Sequence, residues 1–128
     1  MKDALQEYLD AVRDRPFEWG EHDCALFAAK AVDAMHGTGF EAVVRRYGCR
    51  TALDYRHLQR NAGVTLGDLT TTELGPSKAQ AVRGDVALLK SGGRESLGIA
   101  VPPLVLVAGR DGIMPMPMAH AVKFWGAK

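Results

Sequence analysis

His22, Asp23 and Cys24 stand in a row, and imidazole, carboxylate and thiol are the groups from which a cysteine nucleophile is built. The run that follows, ALFAAKAV, is rich in small helix-forming residues, so Cys24 falls in the first turn of a helix. Unpaired amides and the macrodipole favour negative charge there, which lowers a thiol's pKa. Such a nucleophile needs an imidazole to take its proton and return it to the leaving group. His22 is one source, since at a loop–helix junction its ring can fold over the thiol. The other reading of this pair is structural: His22 or Asp23 caps the helix by accepting from its free amides, and Cys24 is a small buried residue.

The remaining histidines are less well placed. His36 lies about three turns along the same helix, and His57 falls on a separate, exposed helix. His120 is the one sheet-side candidate. Cys24, Cys49, His22 and one more histidine would make four metal ligands, but no C-x-x-C or H-x-x-x-H spacing is present. No metal and no other cofactor is expected.

Around this centre, Trp19-Gly20 either lines a groove for sugar or peptide, or plugs the core while Gly20 takes a backbone angle other residues avoid. Asp85, after Gly84 at a strand entry, reads as a structural carboxylate binding loop amides. RRYGCR gathers Arg45, Arg46 and Arg50, a solvated helix end or a contact for an acidic partner. In IMPMPMAH, Met114, Met116 and Met118 alternate with Pro115 and Pro117. Core packing accounts for some of these methionines, and an exposed stripe would be a docking edge.

The elements that position these residues follow from periodicity. Leu5, Tyr8, Leu9 and Val12 share one helix face over residues 3–13, and Arg15-Pro16 ends that helix. A second helix runs from Asp23 or Cys24 to about Met35 and stops at HGTG. Its alanines (Ala25, Ala28, Ala29, Ala31, Ala34) allow close approach, which predicts a central, buried helix. FEAVVRRYG reads as a short helix with Phe40, Val43, Val44 and Tyr47 inward. TALDYRHLQRNAG carries a capping-box pattern at Thr51 and Asp54 and a left-handed cap at Gly63. LGDLTTTELG is ambiguous between a loop and a short helical piece. From Gly84 the character changes. DVALLK, SLGIAV, LVLVAG and GIMPMPM are strands of an antiparallel meander separated by turn chemistry. Asp111-Gly112 marks a hairpin, and the prolines make the last run an edge strand. HAVKFWG closes the chain with Phe124 and Trp125 packed back on the core.

This is one α+β domain over residues 1–128, helical over 1–75 and sheet over 84–128. With 128 residues, 47% apolar and 24% charged, the chain can bury a core. Sixteen basic against fifteen acidic residues leave a net charge of +1, which gives no electrostatic reason to expect nucleic acid. The charged start, MKDALQEYLDAVRD, lacks a signal peptide's apolar stretch. No run reaches the roughly 20 apolar residues of a membrane span. A cytoplasm that keeps both cysteines reduced is the expected site of synthesis, with no membrane insertion.

WGEHDCALFAA resembles the nucleophile motif of the NlpC-type, papain-like cell-wall cysteine peptidases. RGDVALL resembles their Gly-Asp-Leu/Val strand, and SLGIAV the His-Val-Gly-Ile-Tyr strand that carries their base. From Phe17 to Trp125 the chain is also similar to small proteins of bacteriophage tail modules, which share W-G-x-H-D-C, G-D-V-x-L-L, L-G-I and an ending in D-G-(I/L)…(F/W)-W. The resemblance implies an NlpC-like fold with Cys24 at the nucleophile position, helped by His22 or Asp23, and with Trp19 and Gly20 in the groove. It also implies a departure: Ser96 stands where the peptidases have histidine, and Ala25-Leu26 replace their Ser-Gly. Serine is no base near neutral pH. Two functions follow. One is a structural part of a phage tail tip or baseplate, made in the host bacterial cytoplasm, residing in the virion and contacting other tail subunits. The other is a cysteine peptidase or amidase acting on peptidoglycan stem peptides during entry.

Overall fold

The structure is a computed structural model describing residues 2–47, 51, 53–54, 63, 65–91 and 94–126. Asp3 caps the first helix, α1 (Ala4–Val12), by accepting from the Gln6 amide, and Leu5, Leu9 and Val12 are buried as their spacing predicts. α2 (Cys24–His36) ends at Gly37 in the left-handed conformation. Ala25, Ala28, Ala29 and Ala31 are fully buried while Ala34 is exposed, and these small side chains let α2 lie at the centre, against α1, α3, β2 and β3. α3 (Phe40–Arg46) buries Phe40 and Val44. Tyr47 departs from expectation: it is 41% exposed, because the helix stops at Arg46 and turns the ring off the apolar face. Asp33 fastens α3 to α2, one carboxylate oxygen accepting from Phe40 N and Thr38 Oγ1 and the other from Glu41 N.

In the Thr51–Asp54 capping pattern, the Asp54 amide donates to Thr51 Oγ1, and Gly63 has the left-handed φ of 66°. The helix expected between them, with His57, falls mostly on residues outside those described. The ambiguous LGDLTTTELG segment is α4 (Leu66–Leu74), opened by a capping box between Thr65 and Asp68.

The strands are β1 (Val86–Ser91), β2 (Arg94–Val101), β3 (Leu104–Gly109), β4 (Gly112–Pro117) and β5 (Ala121–Trp125). They form one antiparallel five-stranded sheet in the order β4-β3-β2-β1-β5. The architecture is therefore α+β, with N-terminal helices on a C-terminal sheet. The last segment packs Phe124 and Trp125 on the core as expected, and does so as a strand. It pairs with β1, Trp125 opposite Val86 and Phe124 opposite Ala87.

Alternation sorts the sheet into two faces. Val86, Leu88, Leu97, Ile99 and Trp125 join the helices in the main core, whereas Ala87, Leu89, Val105, Val107 and Phe124 form a second cluster behind the sheet. Ala81, Met116, Met118 and Ala121 cover that second cluster, so two of the three methionines pack and only Met114 is largely exposed. Gly98 serves this face: a Cβ there would lie 2.7 Å from the Leu106 carbonyl oxygen and from Val105 Cγ1.

Both margins of the sheet are occupied or blocked. On β4, Met114 and Met116 pair with Val107 and Val105, so the alternate residues turn their backbone groups outward. The outward Ile113 amide donates to the Arg13 carbonyl, and the next two outward residues, Pro115 and Pro117, have no N–H. Along β5, Lys78 and Phe124 exchange both backbone hydrogen bonds.

Candidate functional site

The approach to α2 is a tight backbone hairpin. Glu18 and His22 exchange backbone hydrogen bonds around Gly20, whose φ of 80° is the left-handed angle the sequence suggested. The Phe17 amide ties the loop to the Gly109 carbonyl at the end of β3. Lys30 Nζ donates to the Glu21 carbonyl at 2.7 Å, and Arg45, ion-paired with Glu41, donates to the Gly20 carbonyl at 3.2 Å.

Asp23 is the N-cap. Its Oδ1 accepts from Leu26 N at 2.9 Å and its Oδ2 from Gly20 N at 3.0 Å, so one buried carboxylate joins the hairpin to the helix. We expect Asp23→Ala to cost about 2–4 kcal/mol, from two charge-assisted bonds and an exposed helix start. Asp23→Asn, which keeps acceptor capacity, is expected to recover at least half of that loss. Chemical denaturation of the three proteins measures both.

Trp19 projects from the hairpin, 39% exposed and edge-on to Phe17 at 4.7 Å. It stands at the loop surface rather than plugging the core. Asp85 is structural as read: it accepts from Val82 N and pairs with Lys78 at 2.8 Å.

Cys24 opens α2 on the side facing β2. The residue is partly buried, and desolvation pushes its thiol up from 9.0 to about 11. A hydrogen bond from the Leu97 backbone works the other way, and the neighbouring Asp23 charge adds to the rise. The helix start does not deliver the lowered pKa expected of it, because desolvation outweighs the helix-terminal field.

His22 does not fold over the thiol. Its imidazole is fully buried, edge-on to Phe27 at 5.8 Å, and neither ring nitrogen has a hydrogen-bond partner among the described residues. Burial, with Arg15 and Lys30 nearby, lowers its pKa to about 4. His36 is exposed at the far end of α2, and His120 is exposed in the turn Met118–His120.

Ser96 pairs with Leu89, a member of the second cluster, so its side chain leaves the sheet on the face away from α2. The structure thus gathers Trp19, Gly20, His22, Asp23 and Cys24 around one helix start. It brings the thiol to the Leu97 backbone, and it leaves Ser96 and His120 elsewhere. Among the described residues no group of three His, Cys, Asp or Glu could hold a metal. Sequence reading missed Leu97 as the partner of Cys24, for a main-chain group leaves no signature in residue type. It also missed Asp33, whose signal is a carboxylate ahead of the glycine pair that opens α3.

Residues 1–127 match the family described as a domain of unknown function, DUF6950. The chain belongs to this family. No curated protein matches it. In this DUF6950 chain the match takes in all the helices and strands described above, so the hairpin, the capped helix and the sheet form one family unit.

Proposed function

We propose that the chain is a non-catalytic structural component of a bacteriophage tail tip or baseplate, built on an NlpC-like scaffold. The observation that carries the first half of this reading is the state of Cys24: a partly buried thiol that desolvation pushes up, and no imidazole hydrogen-bonded to it among the described residues. A cysteine peptidase must form a thiolate near neutral pH and reprotonate its leaving group. Among the described residues nothing at this site supplies either. The second half is supported by the ordered set of motifs shared with tail-module proteins, Trp19 to Cys24, Gly84 to Leu89, Leu97 to Ile99 and Asp111 to Trp125. The NlpC-like assignment is supported by a cysteine at the first turn of a central helix lying against the strand that follows the Gly-Asp strand. Its partners would be neighbouring tail subunits, and its location the virion. Among the described residues no helix is long and apolar enough to cross a membrane.

One feature favours the peptidase alternative, the position of Cys24 against β2, and a single substitution separates the two. In a phage that encodes the chain, Cys24→Ala is expected to leave particle yield, presence of the chain in purified virions and plaque titre unchanged. A peptidase stripped of its nucleophile would lose at least about 1,000-fold of its activity. Normal virions with collapsed titre would therefore establish the enzyme, and virions that never contain the chain would overturn the tail assignment.

A further inference from the structure

His22 is a titratable group for which neither reading above has a use. Its side chain is fully buried, both ring nitrogens are unpartnered among the described residues, and it lies in the hairpin that leads into α2. We propose that His22 is an acid-sensitive latch, whose protonation releases the hairpin of residues 17–23 from the helices that hold it.

Three helices and the hairpin itself bring groups to the ring or to the loop that carries it. From α1 and the turn after it come Tyr8, whose hydroxyl donates to the Phe27 carbonyl, and the Arg15 guanidinium. From α2 come the apolar Phe27 and the Lys30 ammonium, which is anchored on the Glu21 carbonyl. From α3 come Arg45 and Glu41, which pair with each other. Within the hairpin, Glu18 and Glu21 are exposed, Glu21 lying 3.8 Å from Arg45, and Asp23 accepts from the Gly20 and Leu26 amides. The two charges that act most on the ring are therefore positive, and among the described residues neither nitrogen has a hydrogen-bond partner.

A neutral imidazole packs here as an aromatic ring. An imidazolium would be a buried, unpaired cation beside two others, and such a group moves to water rather than stay. The hairpin is the part that can give way. It is held by a few main-chain bonds, by the Gly20 amide on Asp23, and by two side-chain cations, Lys30 and Arg45. On opening, the amides and cations turn to water while Asp23 keeps its cap on Leu26.

The sign follows from linkage. Below the ordinary value of 6.5 the open hairpin takes up a proton that the closed one refuses until about pH 4. Opening is therefore favoured progressively from pH 6.5 down to pH 4 and gains nothing further below. This inference does not depend on the tail assignment.

Hydrogen exchange of the full chain, read as protection factors at pH 7 and pH 4.5, tests it. Amides of residues 17–27 are expected to lose roughly 50-fold of their protection at the lower pH, while β1 and β2 keep theirs. His22→Phe preserves a ring against Phe27 and strands no hydrogen-bond partner, so it is expected to fold and to show no such loss. Equal losses in variant and wild type would overturn the proposal, as would protection of residues 17–27 that is unchanged in the wild type. If the variant fails to fold, histidine NMR titration of the wild type decides: a His22 signal still neutral at pH 5 supports the latch, and one titrating near 6.5 overturns it.

Discussion

At about pH 7.5 the Cys24 thiol is expected to alkylate roughly a hundredfold more slowly than a free cysteine. The rise from 9.0 to about 11 lowers the thiolate fraction by two decades, and thiolate is the reacting species. The measurement is an iodoacetamide rate–pH profile in a Cys49→Ser background, so that a single thiol reports. The rate should still be climbing beyond pH 10, and His120→Ala should leave the profile unmoved, because that imidazole lies in an exposed turn away from α2. His22→Phe should leave it unmoved as well, because the ring packs on Phe27. A thiol titrating below pH 8 and losing that shift with one histidine would restore the peptidase and name its base.

Trp125→Ala is expected to cost about 3–5 kcal/mol, a third or more of the stability of an ordinary domain. Trp125 is fully buried on the helix side of β5, opposite Val86, and its indole N–H donates to Thr71 Oγ1 of α4 at 3.1 Å. Removing it opens a cavity where β1, β5 and α4 meet and strands nothing polar except a hydroxyl that can turn to water. Trp125→Phe keeps most of the volume and loses the hydrogen bond, for an expected 1–2 kcal/mol, about the worth of one buried donor with imperfect repacking. Urea titrations should show the midpoint falling with an unchanged slope. A loss below about 1 kcal/mol for the alanine variant would mean that β5 is not part of the cooperative core.

Local pattern carried much of this fold. The i, i+3, i+4, i+7 stripe of α1, the alanine-rich run of α2 and the first four strands with their turns were readable because each is encoded within a dozen residues. β5 was not: Ala121, Val122 and Lys123 show no clean alternation, with Val122 and Lys123 both exposed, and the segment becomes a strand through pairing with β1 far away in sequence. Tyr47 fits the helical stripe on paper, but the helix ends one residue before it. At the site, Asp23 as cap and Gly20 at positive φ were legible because capping and left-handed turns are local chemistry. The environment of His22 was not legible. Burial against Phe27 with Arg15 and Lys30 alongside is assembled from several elements, and it turns a candidate base into a neutral aromatic. Ser96 illustrates both sides: its place in the strand was readable, while the face it points to is fixed by register with Leu89.

The margins of the sheet carry a last consequence. In the terms of polymer chemistry, a β-sheet is a growing chain with two reactive ends, and here both are terminated. β4 ends in carbonyls without matching donors, since Ile113 spends its amide on Arg13 and the next two outward positions are prolines. At the other end, Lys78 occupies the outward backbone groups of Phe124 on β5. Copies of this chain held at high local density therefore meet a poor template for stacking edge to edge into fibres, above all at β4. Whatever order such copies reach must come from side-chain surfaces, which can be specific and finite, and not from backbone ladders, which are neither.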